Sequence, residues 1–120
     1  MKYMLLIYGN EELWASFPPE DLARVIEETD ALQAELRASG EFIGAYGVAD
    51  QEMAKTVRLV DGVPAVTDGP YIEAKEYIGS FDIIDCESEA RALEIAARVP
   101  FARIGSVEVR PLMHEAAPDV

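Results

Sequence analysis

Residues 2–8 read KYMLLIY, a run of strand length and far too short to cross a bilayer. Alternation places Tyr3, Leu5 and Ile7 on one side and Met4, Leu6 and Tyr8 on the other. Both sides are apolar, so the strand needs cover on both faces. Gly9-Asn10 closes it, and whatever supplies the two covers decides the fold.

One cover comes from helices. From Pro19 onward, Leu22, Val25, Ile26, Thr29, Leu32 and Leu36 recur at three- and four-residue steps. Proline at the start, Glu20 and Asp21 in the first turn, Arg37 in the last and Gly40 just beyond are helix-end signals. A second helix is expected over SEARALEIAARV, capped by Ser88 and stopped by Pro100, with Ala90, Leu93 and Ala97 and neighbouring Ile95 and Ala96 as its buried side. Between the first strand and first helix, EELWASFP carries Trp14 and Phe17 as an aromatic flap.

The remaining segments read as strands. FIGAYGVA (42–49) is expected to hold a bulge or a close approach at Gly44 and Gly47. AKTVRLVDGVPAVT (54–67) is a hairpin turning on Asp61-Gly62. Tyr77 to Asp85 and SVEVRPL (106–112) are the last two strands. The order strand, helix, strand, hairpin, strand, helix, strand predicts an α+β fold of the ferredoxin-like split βαβ type. Its antiparallel sheet carries both helices on one face, and the hairpin is an insertion. Two helices cover one face only, so the second cover is expected to be another copy of the chain, joined as a homodimer through the sheet face.

The totals fit one domain over residues 1–120, with 113–120 expected as a frayed tail. Twenty-three acidic against ten basic residues give a net charge of −13, which repels nucleic acid and anionic membranes. MKYMLLIYGNEELW reaches charged residues too early for a secretory signal, so a cytoplasmic location is expected. Cys86 is alone, and it reads as a small buried hydrophobe at a strand end. No cofactor motif, phosphate loop or metal-ligand spacing appears.

Polar residues concentrate in TDGPYIEAKEYIGSFDIID, residues 67–85. As a turn residue, Asp68 would bond the backbone just ahead of it and pin the Gly69-Pro70 bend, with Gly69 held extended by the proline. As a functional residue it would line a cleft and act as a base or ligand anchor. Glu73, Lys75 and Glu76 read either as an exposed ion-pair cluster or as a site. In the second reading Lys75 is the cationic anchor for an anionic or carbonyl-bearing molecule, and Glu73 or Asp68 handles protons. Tyr46, Tyr71, Tyr77 and Trp14 read as core or interface aromatics, and Arg110 with Glu108 as an interface pair on the face away from Val107 and Val109.

DGPYIEAKEYIGSFDIID resembles the DGPF motif of the YCII-related domain family. KYMLLIYG, TVRLVDG, EARALEIAARVP and SVEVRPLM also resemble segments of that family. The resemblance implies a ferredoxin-like fold dimerising through its sheet as an α+β barrel, with no agreed activity. The functional reading makes Asp68, Glu73 and Lys75 the candidate catalytic residues, with Asp68 resembling the motif aspartate, and Gly69, Pro70, Tyr71, Glu76 and Tyr77 the candidate ligand-binding ones. Tyr71 stands where phenylalanine is usual and Ala74 where threonine is frequent. In the wider superfamily a histidine and an aspartate form a catalytic dyad. The one histidine here, His114, lies in the tail, so the dyad does not transfer. Two functions stay open: a small-molecule-binding dimer with weak lyase-like or hydrolase-like chemistry, and a non-catalytic module. For the module, the resemblance suggests a protein partner linked to an extracytoplasmic-function sigma factor.

Overall fold

A computed structural model describes residues 1–116. Six strands and three helices follow one another as β1 (Lys2–Gly9), α1 (Glu11–Ala15), α2 (Pro19–Ser39), β2 (Phe42–Gly47), β3 (Lys55–Val60), β4 (Val63–Asp68), β5 (Tyr77–Asp85), α3 (Glu89–Arg98) and β6 (Ser106–Pro111). Strands β2, β5, β1 and β6 form one antiparallel sheet in that spatial order. This is the expected α+β arrangement. The hairpin β3–β4 is a separate two-stranded sheet. Among the described residues no helix is long and apolar enough to cross a membrane.

The register sorts the side chains. Tyr3, Leu5 and Ile7 share a face with Ile84, Asp82 and Ser80 of β5 and with Val107 and Val109 of β6. This face packs against Leu32 and Leu36 of α2 and Ala92, Ile95 and Ala96 of α3, and Cys86 and Val99 complete the cluster. Burying side chains of this size contributes about 1.5–3 kcal/mol each, which makes the cluster the main stabilising element. The opposite face presents Met4, Leu6 and Tyr8, flanked by Phe81 and Ile83, Tyr46, and the charged Glu108 and Arg110. Tyr46 stacks on Phe81 at 5.2 Å between ring centres yet stays 54% exposed.

The end signals act as read. Pro19 opens α2, and Gly40 closes it in the left-handed conformation, with the Gly40 and Glu41 N–H groups donating to the Arg37 and Leu36 carbonyls. Ser88 caps α3 by accepting from the Arg91 N–H, and Asn10 caps α1 by accepting from that of Leu13 at 2.7 Å. Asp61 and Gly62 turn the hairpin with φ of 51° and 80°. The bulge in β2 falls between Phe42 and Gly44, and β1–β5 carries a second at Ile7/Tyr8. Cys86 is buried.

The buried side of α3 differs from expectation. Ala92, Ile95 and Ala96 face the core, while Ala90, Leu93 and Ala97 are exposed. In this rotation Ala92, Ile95 and Ala96 join the core cluster, and the Arg91 guanidinium donates to both Glu41 oxygens at 2.9 Å. The fork locks α3 to the junction of α2 and β2 and, with Ser39, holds the Glu41 carboxyl down to about 2. Of the tail, residues 117–120 lie outside the described residues. Residues 113–116 have no regular structure, though the Glu115 carboxylate accepts from Lys2 Nζ at 2.7 Å.

The hairpin stands apart. Val57, Leu59, Pro64 and Val66 share one of its faces, and all four are exposed, Leu59 at 71%. The Cα radius of gyration is 16.7 Å, against about 14 Å for a compact chain of this length. The excess is consistent with the protruding arm.

Candidate functional site

The DGPY segment leaves the base of the arm and crosses to the start of β5. Gly69 makes the crossing possible. Its φ is +94°, its N–H donates to the Ala54 carbonyl at 2.8 Å, and its own carbonyl accepts from Thr56 Oγ1 at 2.9 Å. The expectation of an extended Gly69 is therefore corrected: these two bonds at the hairpin base outweigh the bias from Pro70, and only glycine adopts that φ without strain. Asp68 does not pin the bend either. Its side chain is 86% exposed and paired across the hairpin with Lys55.

The candidate residues separate into three groups. Gly69, Pro70, Glu73 and Lys75, with Gln51, Glu52 and Ala74, line an open hollow of about 500 Å3. Lys75 is the one cation among these lining residues. Lys75 also borders a smaller hollow of about 250 Å3 shared with Tyr77, Asn10, Glu11 and Glu12. Glu76 turns to the other side, where it accepts from Asn10 Nδ2 at 3.2 Å and joins Tyr8, Ser106 and Glu108 around a shallow depression. Tyr71 is exposed, and Asp68 lines none of these hollows. The segment thus brings Glu73 and Lys75 together and leaves Asp68 and Tyr71 outside.

A second set of polar residues lies under the helices. Asp82 sits mid-strand on the core-side face, level with Leu5 and Ala45. Burial pushes its carboxyl up to about 6, and burial is the one cause of the shift. Beside it is a hollow of about 190 Å3 that is also lined by Ser80, Thr29 and Gln33. Thr29 Oγ1 is buried with no hydrogen-bond partner among the described residues. This hollow meets a larger one of about 400 Å3 at Ile7, Ser80 and Phe101, and the larger one is walled by Trp14 and Tyr77. Trp14 meets Phe101 edge-on at 5.6 Å and lies so close over Gly9 that a Cβ there would come within 2.2 Å of its ring. Burial, with Asp50 and Glu11 nearby, raises the Tyr77 phenol.

Alternation along Tyr77–Asp85 puts Asp82 on one strand face with Ser80 and Ile84, but the sequence by itself assigned it no role. The one local signal was an acid amid Phe81, Ile83 and Ile84 in a strand that must bury one face. Among the described residues no three His, Cys, Asp or Glu side chains converge as a metal site would require.

The YCII-related domain family matches residues 1–116. The chain belongs to this family. A relative is an uncharacterised protein of Rhizobium meliloti (strain 1021), 33% identical over 114 residues that cover 93% of this chain and 92% of the relative. The alignment spans the sheet, the arm and the DGPY segment alike, so this YCII-related chain and its relative share a whole domain.

Proposed function

We propose that this YCII-related domain is a cytoplasmic homodimer that binds a small molecule in the hollow beside the DGPY segment, with Lys75 as its electrostatic anchor. One observation carries the reading: four residues of the segment, Gly69, Pro70, Glu73 and Lys75, line a hollow of about 500 Å3 in which Lys75 is the one cation among the described residues. An anionic or carbonyl-bearing ligand pairs with that ammonium, and in this reading Glu73, which lines the same hollow as Glu52 does, exchanges a proton with it. Asp68, solvated and paired with Lys55, serves the arm's base in this reading and takes no part in chemistry. Any lyase-like or hydrolase-like step therefore falls to Glu73 and Lys75.

The dimer reading rests on two apolar surfaces. Tyr46 is exposed and Phe81 and Ile83 are half-buried on the sheet face away from the helices, and Val57, Leu59 and Val66 are exposed on the arm. A second copy stacked sheet to sheet covers the first surface, while Arg110 and Glu108 supply charges that pair reciprocally across a two-fold axis. An isolated two-stranded hairpin is marginal in water, which favours an arm resting on a neighbour. The same arm favours the second reading, a non-catalytic module whose partner is a protein, including one linked to a sigma factor.

Thermal-shift screening against small carboxylates, alongside sedimentation, tests the proposal. A carboxylate should raise Tm in the wild type and not in Lys75→Ala, and the protein should sediment as a dimer at micromolar concentration. A monomer that no carboxylate shifts would remove the proposal, and a stable co-purifying protein would favour the module instead.

A further inference from the structure

We propose that the cleft between α2 and the core-side face of the sheet is a second binding site, one that takes a small organic amine. Its ammonium seats against Asp82, and its apolar body lies against Trp14 and Phe101. The cleft shares no lining residue with the hollow beside the DGPY segment, so the inference stands whether or not that hollow binds anything.

The polar groups converge from two elements. Ser80 and Asp82 are two residues apart on β5 and therefore point to the same side. Thr29 and Gln33 are one helical turn apart on α2 and face them across about 190 Å3. That space holds about six waters at roughly 30 Å3 each, enough for an ammonium head and its first carbons. Nothing among the described residues completes the set. Asp82 has burial as its sole influence, and the Thr29 hydroxyl is an orphan. A half-buried carboxylate without a cation and a covered hydroxyl without a partner are each costly, and an ammonium with several N–H donors satisfies both.

Charge selects the ligand. Among the described residues, the lining of the two joined hollows contains no lysine, arginine or histidine. Its charged groups are Asp82 and, at the mouth, Asp50, and its other titratable side chains are Tyr46 and Tyr77. With −13 on the chain overall, the field concentrates cations and excludes anions. Trp14 lines the larger hollow and Phe101 lines both, and aromatic rings attract organic cations and cover their hydrocarbon parts.

Benzylamine is a suitable probe, with benzyl alcohol and benzoate as its neutral and anionic counterparts, read by isothermal titration at pH 7.5. Benzylamine should bind saturably and at least tenfold more tightly than either counterpart. Asp82→Asn should weaken it tenfold or more, and Thr29→Leu, which fills the hollow, should abolish it. Lowering the pH to 5 should weaken it about tenfold, as the Asp82 carboxylate takes up its proton. Lys75→Ala should leave it unchanged. Absence of saturation in the millimolar range, equal binding of benzyl alcohol, or indifference to Asp82→Asn each overturns the inference. Should Asp82→Asn fail to fold, the pH series and Thr29→Leu decide the matter.

Discussion

The four-stranded sheet and the β3–β4 arm both carry rows of apolar residues two positions apart, and they use those rows in opposite ways. In the sheet, Leu5 and Ile84 are sealed under two helices at 1% and 0% exposure. In the arm, Val57, Leu59 and Val66 alternate just as regularly and stay in solvent. The difference lies in the connections. Strands β1 and β2, and β5 and β6, are joined through helices that fold back over the sheet, whereas the arm's strands are joined to each other by a two-residue turn. Periodicity therefore identifies which residues want burial, and connectivity decides whether the chain provides it.

The contrast is open to attack at both ends. Ile84→Ala should have the largest effect, lowering unfolding stability by about 3–4 kcal/mol in denaturant titrations, because a fully enclosed side chain leaves a cavity. A loss below about 1 kcal/mol would mean the sheet is not the sealed region described.

Acid should then act on the body in two opposing stages. Asp82 is held up to about 6 when folded, above its ordinary value, so the folded state binds that proton more tightly. Stability should rise as pH falls through 6 and level off near 4. Glu41 is held down to about 2, so its contribution is complete above about 4.5 and is lost as pH falls toward 2. A Tm profile should show a rise of a few degrees followed by a decline. Asp82→Asn should erase the rise alone, and Glu41→Gln should flatten the decline.

The smallest effect belongs to the arm. Leu59→Ser in dilute protein should change stability by less than about 0.5 kcal/mol, within the range of surface substitutions, yet shift any monomer–dimer equilibrium toward monomer in sedimentation. A large loss of stability in dilute monomer would mean that the arm packs on its own body.

Much of this contrast was legible in the residues themselves. Pro19, Gly40, Ser88 and Asp61-Gly62 mark their ends because capping and turn chemistry is local. The features that stayed hidden depend on long-range contacts. KYMLLIY is apolar on both faces, so nothing local says which face takes the helices, and with that unknown Asp82 could not be placed under them. The rotation of α3 goes with contacts far away in sequence, its apolar side chains meeting the core and Arg91 meeting Glu41 fifty residues away, and a helical period alone does not fix it. Gly69 adopts its conformation because two hydrogen bonds at the base of the arm ask for it, although the adjacent proline suggested otherwise. In the candidate site, the same long-range geometry separates Lys75 and Glu73, which are neighbours in sequence and share a wall, from Asp68, which is close in sequence and turned away.

The arm springs from the body at one narrow base, where Gly69 and Thr56 knot its two ends together. A segment attached in that fashion can be shortened, extended or exchanged between relatives while the sealed layers beneath it keep their packing.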